Sequence, residues 1–147
     1  MMLYTTGYEG IDIDRFIKML KCFKISTVVD VRKLALSRKK DFCKNALSSK
    51  LMSCNIEYLN LNNLGTPEHL RAELNRTRNY VTFFREYKKY MKKNPDELKT
   101  IKTLIDKGNN VVLLCLEKDD EKCHRKIIAE EIKKMDGNGL EIIALRY

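Results

Sequence analysis

The sequence predicts an α/β fold, a three-layer sandwich around a mostly parallel, Rossmann-like sheet of about five strands. Short apolar runs rich in Val, Ile and Tyr alternate with segments whose apolar residues recur at helical spacing. Such alternation is typical of parallel strands joined by helices. No linker, internal repeat or change in composition interrupts the 147 residues, so we expect one domain over residues 1–147.

The first half of the chain is predicted to hold three strands and two helices. The strands are residues 3–6, 25–31 and 56–61, and the second is apolar enough to be buried on both faces. Asp12 is placed to cap the helix that follows the first strand. The second helix is predicted from an apolar face formed by Cys43, Leu47, Leu51 and Cys54. We assign to the core all the cysteines of this half, Cys22, Cys43 and Cys54.

A long helical excursion is predicted between residues 66 and 107. Thr66 caps its first helix, and Pro67 occupies the first turn. A second helix is indicated by a packed face formed by Tyr80, Phe84, Tyr87 and Met91. A third helix starts after Asn94 and ends at Gly108.

The rest of the chain is predicted to add two strands and one helix. Residues 111–116 form the fourth strand and residues 140–145 the last. Asp119 or Asp120 caps the helix between them, and its acidic first turn suits the positive end of the helix dipole. Within the first turn or two of this helix we expect Cys123, His124 and Arg125.

The composition indicates a basic protein with reduced thiols. Lys and Arg number 29 against 20 acidic residues, and the net charge of +9 attracts anionic partners such as nucleic acid or nucleotides. A lysine-rich surface that only maintains solubility explains this charge equally well. No apolar run approaches the roughly 18 residues of a membrane span, and the N-terminus lacks the pattern of a signal peptide. The five cysteines include no Cys-x-x-Cys pair, so we expect a cytoplasmic location and no membrane partner.

Polar residues accumulate where the predicted strands end. In an open parallel sheet, ligands bind beyond the carboxyl ends of the strands, where the strand order reverses. If the long excursion returns the chain to the first strand, the first and fourth strands are neighbours and the second ends beside them. Asp30 and Arg32 are two residues apart on one strand, as are Cys115 and Glu117, so each pair points one way. Charges at buried strand ends are costly unless they are paired or lie in a cleft, which favours a functional site over loop capping.

Three hypotheses explain the cysteines and the histidine at this edge. In the first, Cys115 or Cys123 is a catalytic nucleophile, His124 is its base, and Glu117 or Asp30 orients the histidine. In the second, both cysteines and His124 bind a metal with Glu117 or a distant residue as a fourth ligand, although the short spacing of common zinc motifs is missing. In the third, these residues are packed in the core. We assign no metal ligand, and the sequence identifies no cofactor.

Basic residues near the same edge are candidates for binding an anion. A run of cations follows the second strand, and such a run is usually a solvated loop. Its position beside the candidate site favours phosphate binding by Arg32, Ser37, Arg38 and Lys39, with Arg125 from the last helix. A mobile flap before the long helix contributes Arg71, Arg76 and Arg78. No Gly-x-x-x-x-Gly-Lys run is present, which excludes a standard P-loop.

Four short motifs along the chain carry a resemblance to a known family. The opening motif is Tyr4-Thr5 with Gly7-Tyr8-Glu9-Gly10. The second is Asp30-Val31-Arg32 with Ser37-Arg38-Lys39 and Phe42. The third and closing motifs are Leu61 with Leu64-Gly65, and Leu113-Leu114-Cys115, Glu117-Lys118-Asp119 and Cys123-His124-Arg125. Together they resemble the domain-of-unknown-function 488 family, with Ala35 where that family usually has proline and Asp41 where it often has glycine.

The resemblance implies an α/β domain in which these motifs cluster, and it implies no reaction. It adds Tyr8 to the site and otherwise favours the residues already named. We therefore expect an enzyme that acts on an anionic, phosphate-bearing substrate, a nucleotide or nucleic acid, with a Cys/His/Glu/Arg site at the carboxyl ends of the strands. The alternative is a non-catalytic nucleic-acid-binding or regulatory module with structural or redox-sensing thiols. No oligomeric state is predicted.

Overall fold

The computed structural model describes residues 1–147 and consists of an all-parallel, five-stranded sheet and its connecting helices. The strands are Met2–Gly7 (β1), Thr27–Asp30 (β2), Glu57–Asn60 (β3), Val111–Cys115 (β4) and Glu141–Ala144 (β5). The α-helices are Ile13–Cys22 (α1), Lys44–Met52 (α2), Glu68–Thr77 (α3), Tyr80–Met91 (α4), Pro95–Asp106 (α5) and Arg125–Asp136 (α6). None of these helices is long and apolar enough to cross a membrane. The predicted α/β class and parallel sheet are confirmed.

The strand order places β4 at the centre of the sheet. The order is β3-β2-β4-β1-β5, so the chain reverses direction across the sheet where β4 lies between β1 and β2. Gly7 is opposite Cys115, and Asp30 is opposite Leu114. The expected neighbourhood of the first, second and fourth strands is therefore confirmed. Their carboxyl ends form one crevice, which is the usual ligand position in this architecture.

Each face of the sheet is covered by its own hydrophobic core. Successive side chains of a strand point to opposite faces. Val28 and Val112 accordingly pack with α1 and α2, whereas Val29 and Leu113 pack with α4, α5 and α6. The strand interiors are apolar on both faces because both faces are buried.

Several local sequence signals have the predicted effect. The Asp12 carboxylate accepts a hydrogen bond from the backbone N–H of Arg15, 2.9 Å away, and caps α1. Pro95 occupies the first turn of α5. After α5, Gly108 adopts φ +90°, a conformation that ends the helix at little cost for glycine.

The predicted start of the last helix is wrong. Asp119 caps only a short 3₁₀ turn, Asp120–Lys122, by accepting a hydrogen bond from the backbone N–H of Glu121. The backbone of Cys123 is extended (φ −133°, ψ 142°), so the helical path is interrupted and α6 begins at Arg125. The extended residue buries the Cys123 side chain, which is 1% exposed.

Three predictions about packing and capping are also wrong. Cys22 is exposed, and Cys43 and Cys54 are only partly buried, because all three lie at helix ends rather than on the packed faces. The packed face of α4 is formed by Phe83, Tyr87 and Met91, while Tyr80 and Phe84 are only partly covered. Thr66 does not cap α3, because Pro67 occupies the N-cap position without a side-chain hydrogen bond.

One hydrogen bond ties α4 to the chain that follows β3. The hydroxyl of Tyr87 donates to the carbonyl oxygen of Leu64 at 2.5 Å, and both residues are fully buried. Tyr87→Phe removes the donor and leaves a buried acceptor without a partner, so we expect the free energy of unfolding to fall by about 1–2 kcal/mol. Urea denaturation followed by circular dichroism measures this loss. The control Tyr80→Phe removes a hydroxyl that bonds no protein group, and an equal loss in both variants would contradict the prediction.

Candidate active site

Two thiols and one imidazole meet at the carboxyl end of β4. Cys115 is the last residue of β4, and Cys123 and His124 directly precede α6. The Nδ1 atom of His124 lies 3.7 Å from the Sγ of Cys123 and 3.9 Å from the Sγ of Cys115. All three residues are buried, with 4%, 1% and 3% exposure for Cys115, Cys123 and His124. One ring nitrogen therefore faces two thiols in an environment that excludes most water.

The other ring nitrogen of His124 fixes the orientation of the imidazole. Its Nε2 lies 2.8 Å from the carbonyl oxygen of Val31, the residue after β2. A carbonyl only accepts hydrogen bonds, so Nε2 carries the proton and Nδ1 faces the thiols. The ring of Tyr87 packs against the imidazole edge-on, with 5.2 Å between ring centroids. This is a thiol–base–orienter arrangement in which a backbone carbonyl is the orienting group.

The electrostatics distinguish the two cysteines. Burial alone would raise the pKa of Cys123, but the hydrogen bond with Cys115 and the positive charges of His124 and Arg125 lower that pKa well below its ordinary value. The same hydrogen bond, together with burial, raises the pKa of Cys115 well above its ordinary value. Burial lowers the pKa of His124, but the Cys123 thiolate outweighs burial and raises it. Of the two thiols, Cys123 is therefore the one whose ionised form the surroundings favour.

Glu117 completes the polar cluster. Its Oε2 lies 3.3 Å from the Sγ of Cys115, so the carboxylate is an alternative acceptor for the single thiol proton of Cys115. Burial is the main cause that raises the pKa of Glu117, and the Cys123 charge adds to it. The spacing of Cys115 and Glu117, two residues apart, brings both to the same place as the sequence predicted. A raised pKa lets this carboxyl group hold a proton at higher pH than an exposed glutamate does, which is the change that a general acid requires.

Arg125 acts on the backbone of this loop rather than on the cavity. Its guanidinium donates to the carbonyl oxygens of Glu117, at 2.5 Å, and Lys118, at 3.3 Å, and the residue is 1% exposed. The loop also packs directly against Gly7 of β1. The contact is so close that a Cβ atom on Gly7 would lie 1.7 Å from the carbonyl oxygen of Glu117. The loop that carries Glu117 is therefore held from both sides.

Asp30 and Arg32 form a buried ion pair beside Val31. The guanidinium of Arg32 donates to the Asp30 carboxylate at 2.7 Å, to the Tyr8 hydroxyl at 3.2 Å and to the Phe42 carbonyl at 2.8 Å. The hydroxyl of Tyr58 donates to the same carboxylate at 2.5 Å. Asp30 is completely buried, and Arg32 is 5% exposed. These internal contacts occupy the guanidinium of Arg32, so the pair holds β2 rather than a ligand.

A cavity of about 810 Å³ lies beside the cluster. One wall of the cavity is formed by α3, by Arg78 and by the start of α4. The other wall is formed by the loops after β1, β4 and β5. Glu117, Cys123 and His124 line the cavity, whereas Cys115 does not. Cys123 is thus the thiol with access to a ligand.

Five cationic side chains line this cavity, Arg71, Arg78, Lys118, Lys122 and Arg146. Arg146 pairs with Asp120 at 3.2 Å, and the Lys118 amine lies 5.1 Å from the centre of the Tyr147 ring. Arg71, Arg78 and Lys122 take part in none of the ion pairs of the structure. Unpaired cations around a cavity create a site for an anion.

The structure separates the predicted anion-binding residues from the cavity. Tyr8, Ser37, Arg38 and Lys39 line no part of it. The Lys39 amine instead donates to the carbonyl oxygen of Tyr8 at 2.9 Å, and the Ser37 hydroxyl accepts from the backbone N–H of Lys39. The basic loop therefore folds onto the first motif.

The flap residues predicted from the sequence divide between cavity and solvent. Arg71 and Arg78 line the cavity, whereas Arg76 points away and pairs with Glu73 on the surface. Sequence reasoning missed Lys118, Lys122 and Arg146 as cavity residues. The charged residues after β4 have the pattern of a helix start, whereas in the structure Lys118 lies in a loop and Lys122 ends a short 3₁₀ turn.

The same cluster offers ligand atoms for a metal ion. The ligand atoms of Cys115, Cys123 and His124 all lie within 4.8 Å of one another, and Glu117 is adjacent. Thiolate and imidazole donors are those that zinc prefers. The hydrogen bond between His124 and Val31 would also orient a metal-binding imidazole. A chelator should therefore expose these thiols to labelling if the cluster holds a metal ion.

The fold and this cluster define a parallel α/β protein with a buried Cys–His site beside a basic cavity. The family model described as Domain of unknown function DUF488 matches residues 12–132, and the chain belongs to this family. The matched residues include β2, β4 and the closing signature, and they leave out β1 with the opening motif. No curated protein and no solved structure matches the chain. The resemblance predicted from the sequence is confirmed.

Proposed function

We propose that this protein is an enzyme that acts on an anionic, phosphate-bearing substrate, a nucleotide or a nucleic acid. One observation carries the proposal: Cys123 and His124 line the same cavity as the unpaired cations Arg71, Arg78 and Lys122. A nucleophile, its acid–base partner and anion-binding side chains thus face one volume, which is the combination expected of an active site.

In the proposed reaction, Cys123 is the nucleophile and His124 transfers the protons. The Cys123 thiolate attacks the electrophilic atom of the substrate, and the bond to the leaving group breaks while His124 donates a proton to that group. Water then hydrolyses the covalent intermediate, His124 accepts a proton from the water, and the thiolate is released. Glu117 and Cys115 do not react in this scheme, and their contact at 3.3 Å positions the Cys115 side chain next to Cys123 and His124.

The remaining predicted site residues take positioning roles in this proposal. Asp30 and Arg32 flank Val31, whose carbonyl oxygen orients His124. Arg125 holds the loop that carries Glu117. The cavity arginines then bind the anion in place of Arg32 and Arg38.

Iodoacetamide labelling from about pH 5 to 9, mapped cysteine by cysteine, tests the nucleophile. Because the pKa of Cys123 is lowered, its thiolate persists as the pH falls below the ordinary thiol pKa of about 8.5. We therefore expect Cys123 to react already at pH 6. His124→Gln removes the positive charge, so it should move the Cys123 profile toward higher pH.

The controls separate a nucleophile from the two other hypotheses. Arg76→Gln, outside the cavity, should leave the labelling profile of Cys123 unchanged. If Cys123 stays inert at every pH in the folded protein, the nucleophile is excluded. If a chelator alone exposes Cys123 to labelling, the cluster is a metal site instead.

The proximity of the two thiols favours a second function, a non-catalytic regulatory module whose thiols sense oxidants. A non-catalytic module that binds nucleic acid would instead use the basic residues of the cavity. Both Sγ atoms lie within 4.8 Å of each other. A hydroperoxide would oxidise the Cys123 thiolate to a sulfenic acid, which condenses with the Cys115 thiol to a disulfide and water. In that case both cysteines would lose iodoacetamide reactivity together. All five cysteines are free, which supports a cytoplasmic location in either function.

A further inference from the structure

The unpaired cations of the cavity come from different elements. Arg71 lies on α3 and Arg78 follows that helix, whereas Lys122 ends the 3₁₀ turn after β4. Guanidinium groups form two parallel hydrogen bonds with phosphate oxygens, and an ammonium group acts as a point charge. Cations from separate elements therefore contact a phosphate group from more than one direction.

The backbone at Arg78 is unusual for an arginine. Its φ of 55° and ψ of 23° lie in the left-handed region, where glycine or asparagine normally ends a helix. The next residue, Asn79, caps α4 by accepting a hydrogen bond from the backbone N–H of Thr82, so the turn is fixed. A strained conformation kept at a position whose side chain lines a cavity favours a binding role for that side chain.

Aromatic rings lie next to these cations. Tyr80 and Phe83 occupy the first turn of α4, and both line the cavity together with Leu74 of α3. The Tyr80 hydroxyl makes no hydrogen bond within the protein, and its ring is only partly covered. Phe83 itself is buried against Tyr87, so Tyr80 offers the accessible ring. A partly exposed aromatic ring beside cations can bind a nucleobase by stacking, without preference for one base.

Two carboxylates of the cavity wall are suited to sugar hydroxyl groups. Glu9 accepts the backbone N–H of Lys118 with one oxygen, and Asp119 accepts that of Glu121 with one oxygen. The second oxygen of each carboxylate remains free to accept a hydroxyl proton. The wall thus combines partners for a phosphate, a base and a ribose.

The dimensions of the cavity favour a small ligand over a polymer. Its volume of about 810 Å³ lies within the range of roughly 300–1,000 Å³ that is typical of small-molecule sites. A bound nucleic acid strand would need basic surface that continues beyond the cavity. Arg38 and Lys40, in the exposed basic loop, line no part of it.

We infer that the cavity binds a mononucleotide, with its phosphate at Arg71, Arg78 and Lys122 and its base against Tyr80. This inference rests on the proposed class of anionic substrates and narrows it to a single nucleotide. It assigns the nucleobase and two of the three phosphate contacts to the wall formed by α3 and α4, whereas Lys122, the ribose contacts and the reacting groups come from the opposite wall.

Calorimetric titration of the Cys123→Ser protein tests this assignment, because binding is then measured without turnover. The probes are adenosine 5′-monophosphate, adenosine, ribose 5-phosphate and a single-stranded octanucleotide. We expect the monophosphate to bind at least about tenfold more tightly than adenosine or ribose 5-phosphate, since each of these lacks one of the two main contacts. The octanucleotide should gain less than about tenfold over the monophosphate, because only one nucleotide fits the cavity.

Three further substitutions in the same background separate the two contacts. Arg78→Gln should weaken monophosphate binding by about tenfold or more and leave adenosine binding unchanged. Tyr80→Leu should weaken binding of the monophosphate and of adenosine about fivefold or more, without changing the binding of ribose 5-phosphate. Arg76→Gln, on the same helix but outside the cavity, should change none of them.

Four results would overturn the inference: no binding of any probe, equal binding of ribose 5-phosphate and the monophosphate, much tighter binding of the octanucleotide, or no effect of Arg78→Gln. The proposed enzyme fails in a different way. If the monophosphate binds as expected but Cys123 of the wild-type protein is inert to iodoacetamide, the nucleotide site stands and the nucleophile does not.

Discussion

Arg32→Met is expected to lower the free energy of unfolding by about 3–5 kcal/mol, because it leaves the buried carboxylate of Asp30 without its counter-ion. Asp30 is completely buried, and Arg32 supplies its ion pair at 2.7 Å. Methionine keeps much of the length of the side chain, so the loss reports charge rather than volume. Most domains have only 5–15 kcal/mol of stability in total, so the expected change is large. Urea denaturation followed by circular dichroism measures it.

Two controls make this prediction specific to the buried pair. The double variant Asp30→Asn with Arg32→Met removes both charges and should recover at least half of the lost stability. Arg76→Met breaks the exposed pair with Glu73 and should produce no measurable change. If the single and double variants are equally unstable, the ion pair is not the cause. Iodoacetamide labelling of Cys123, compared between Arg32→Met and the wild-type protein, reports in addition whether the carbonyl oxygen of Val31 still orients His124.

Gly7→Ala is the second change with a large expected effect. Its Cβ would lie 1.7 Å from the carbonyl oxygen and 2.4 Å from the carbonyl carbon of Glu117, and backbone atoms cannot rotate away. The loop is also tied to β1, since the N–H of Glu9 donates to Leu116 at 2.9 Å. We expect a loss of about 3 kcal/mol together with a shift of the loop that carries Glu117. Labelling of Cys123 at pH 6 should fall with it.

Gly108→Ala is the matched control for that substitution. Nothing lies within 4 Å of its Cβ position, but its φ of +90° disfavours alanine. It should therefore cost about 1–2 kcal/mol through the backbone alone and leave Cys123 labelling unchanged. If Gly108→Ala reduced labelling as much as Gly7→Ala, general destabilisation would explain both results.

The sheet was predictable from the sequence because its strands are apolar on both faces and its helices have clear apolar stripes. The residues around β4 show the limit of this reasoning. Acidic residues at 119–121 suggest a helix start, and they do cap a turn, but that turn ends at Lys122. Cys123 adopts an extended backbone conformation after this turn, and its side chain is buried. Nothing in the local sequence pattern predicts that this side chain is buried.

The site was predictable in part for the same reason. Cys115, Glu117, Cys123 and His124 meet because strand register and the closing signature are local properties of the chain. The cations that line the cavity come from segments far apart in sequence, so no spacing reveals them. Arg32 and Arg38 lie near the expected edge of the sheet, but neither lines the cavity. Arg32 is paired with the buried Asp30, and Arg38 lies on an exposed loop.

α3 has no buried side chain, and this has an evolutionary consequence. Substitutions on an element that contributes little to the core are nearly neutral for folding, so selection for stability leaves them free to vary. Arg71, Leu74 and Asn75 line the cavity from this helix, whereas Cys123 and His124 belong to the packed interior. In the proposed enzyme, substitutions along this one surface helix could therefore alter ligand preference without disturbing the buried Cys–His cluster.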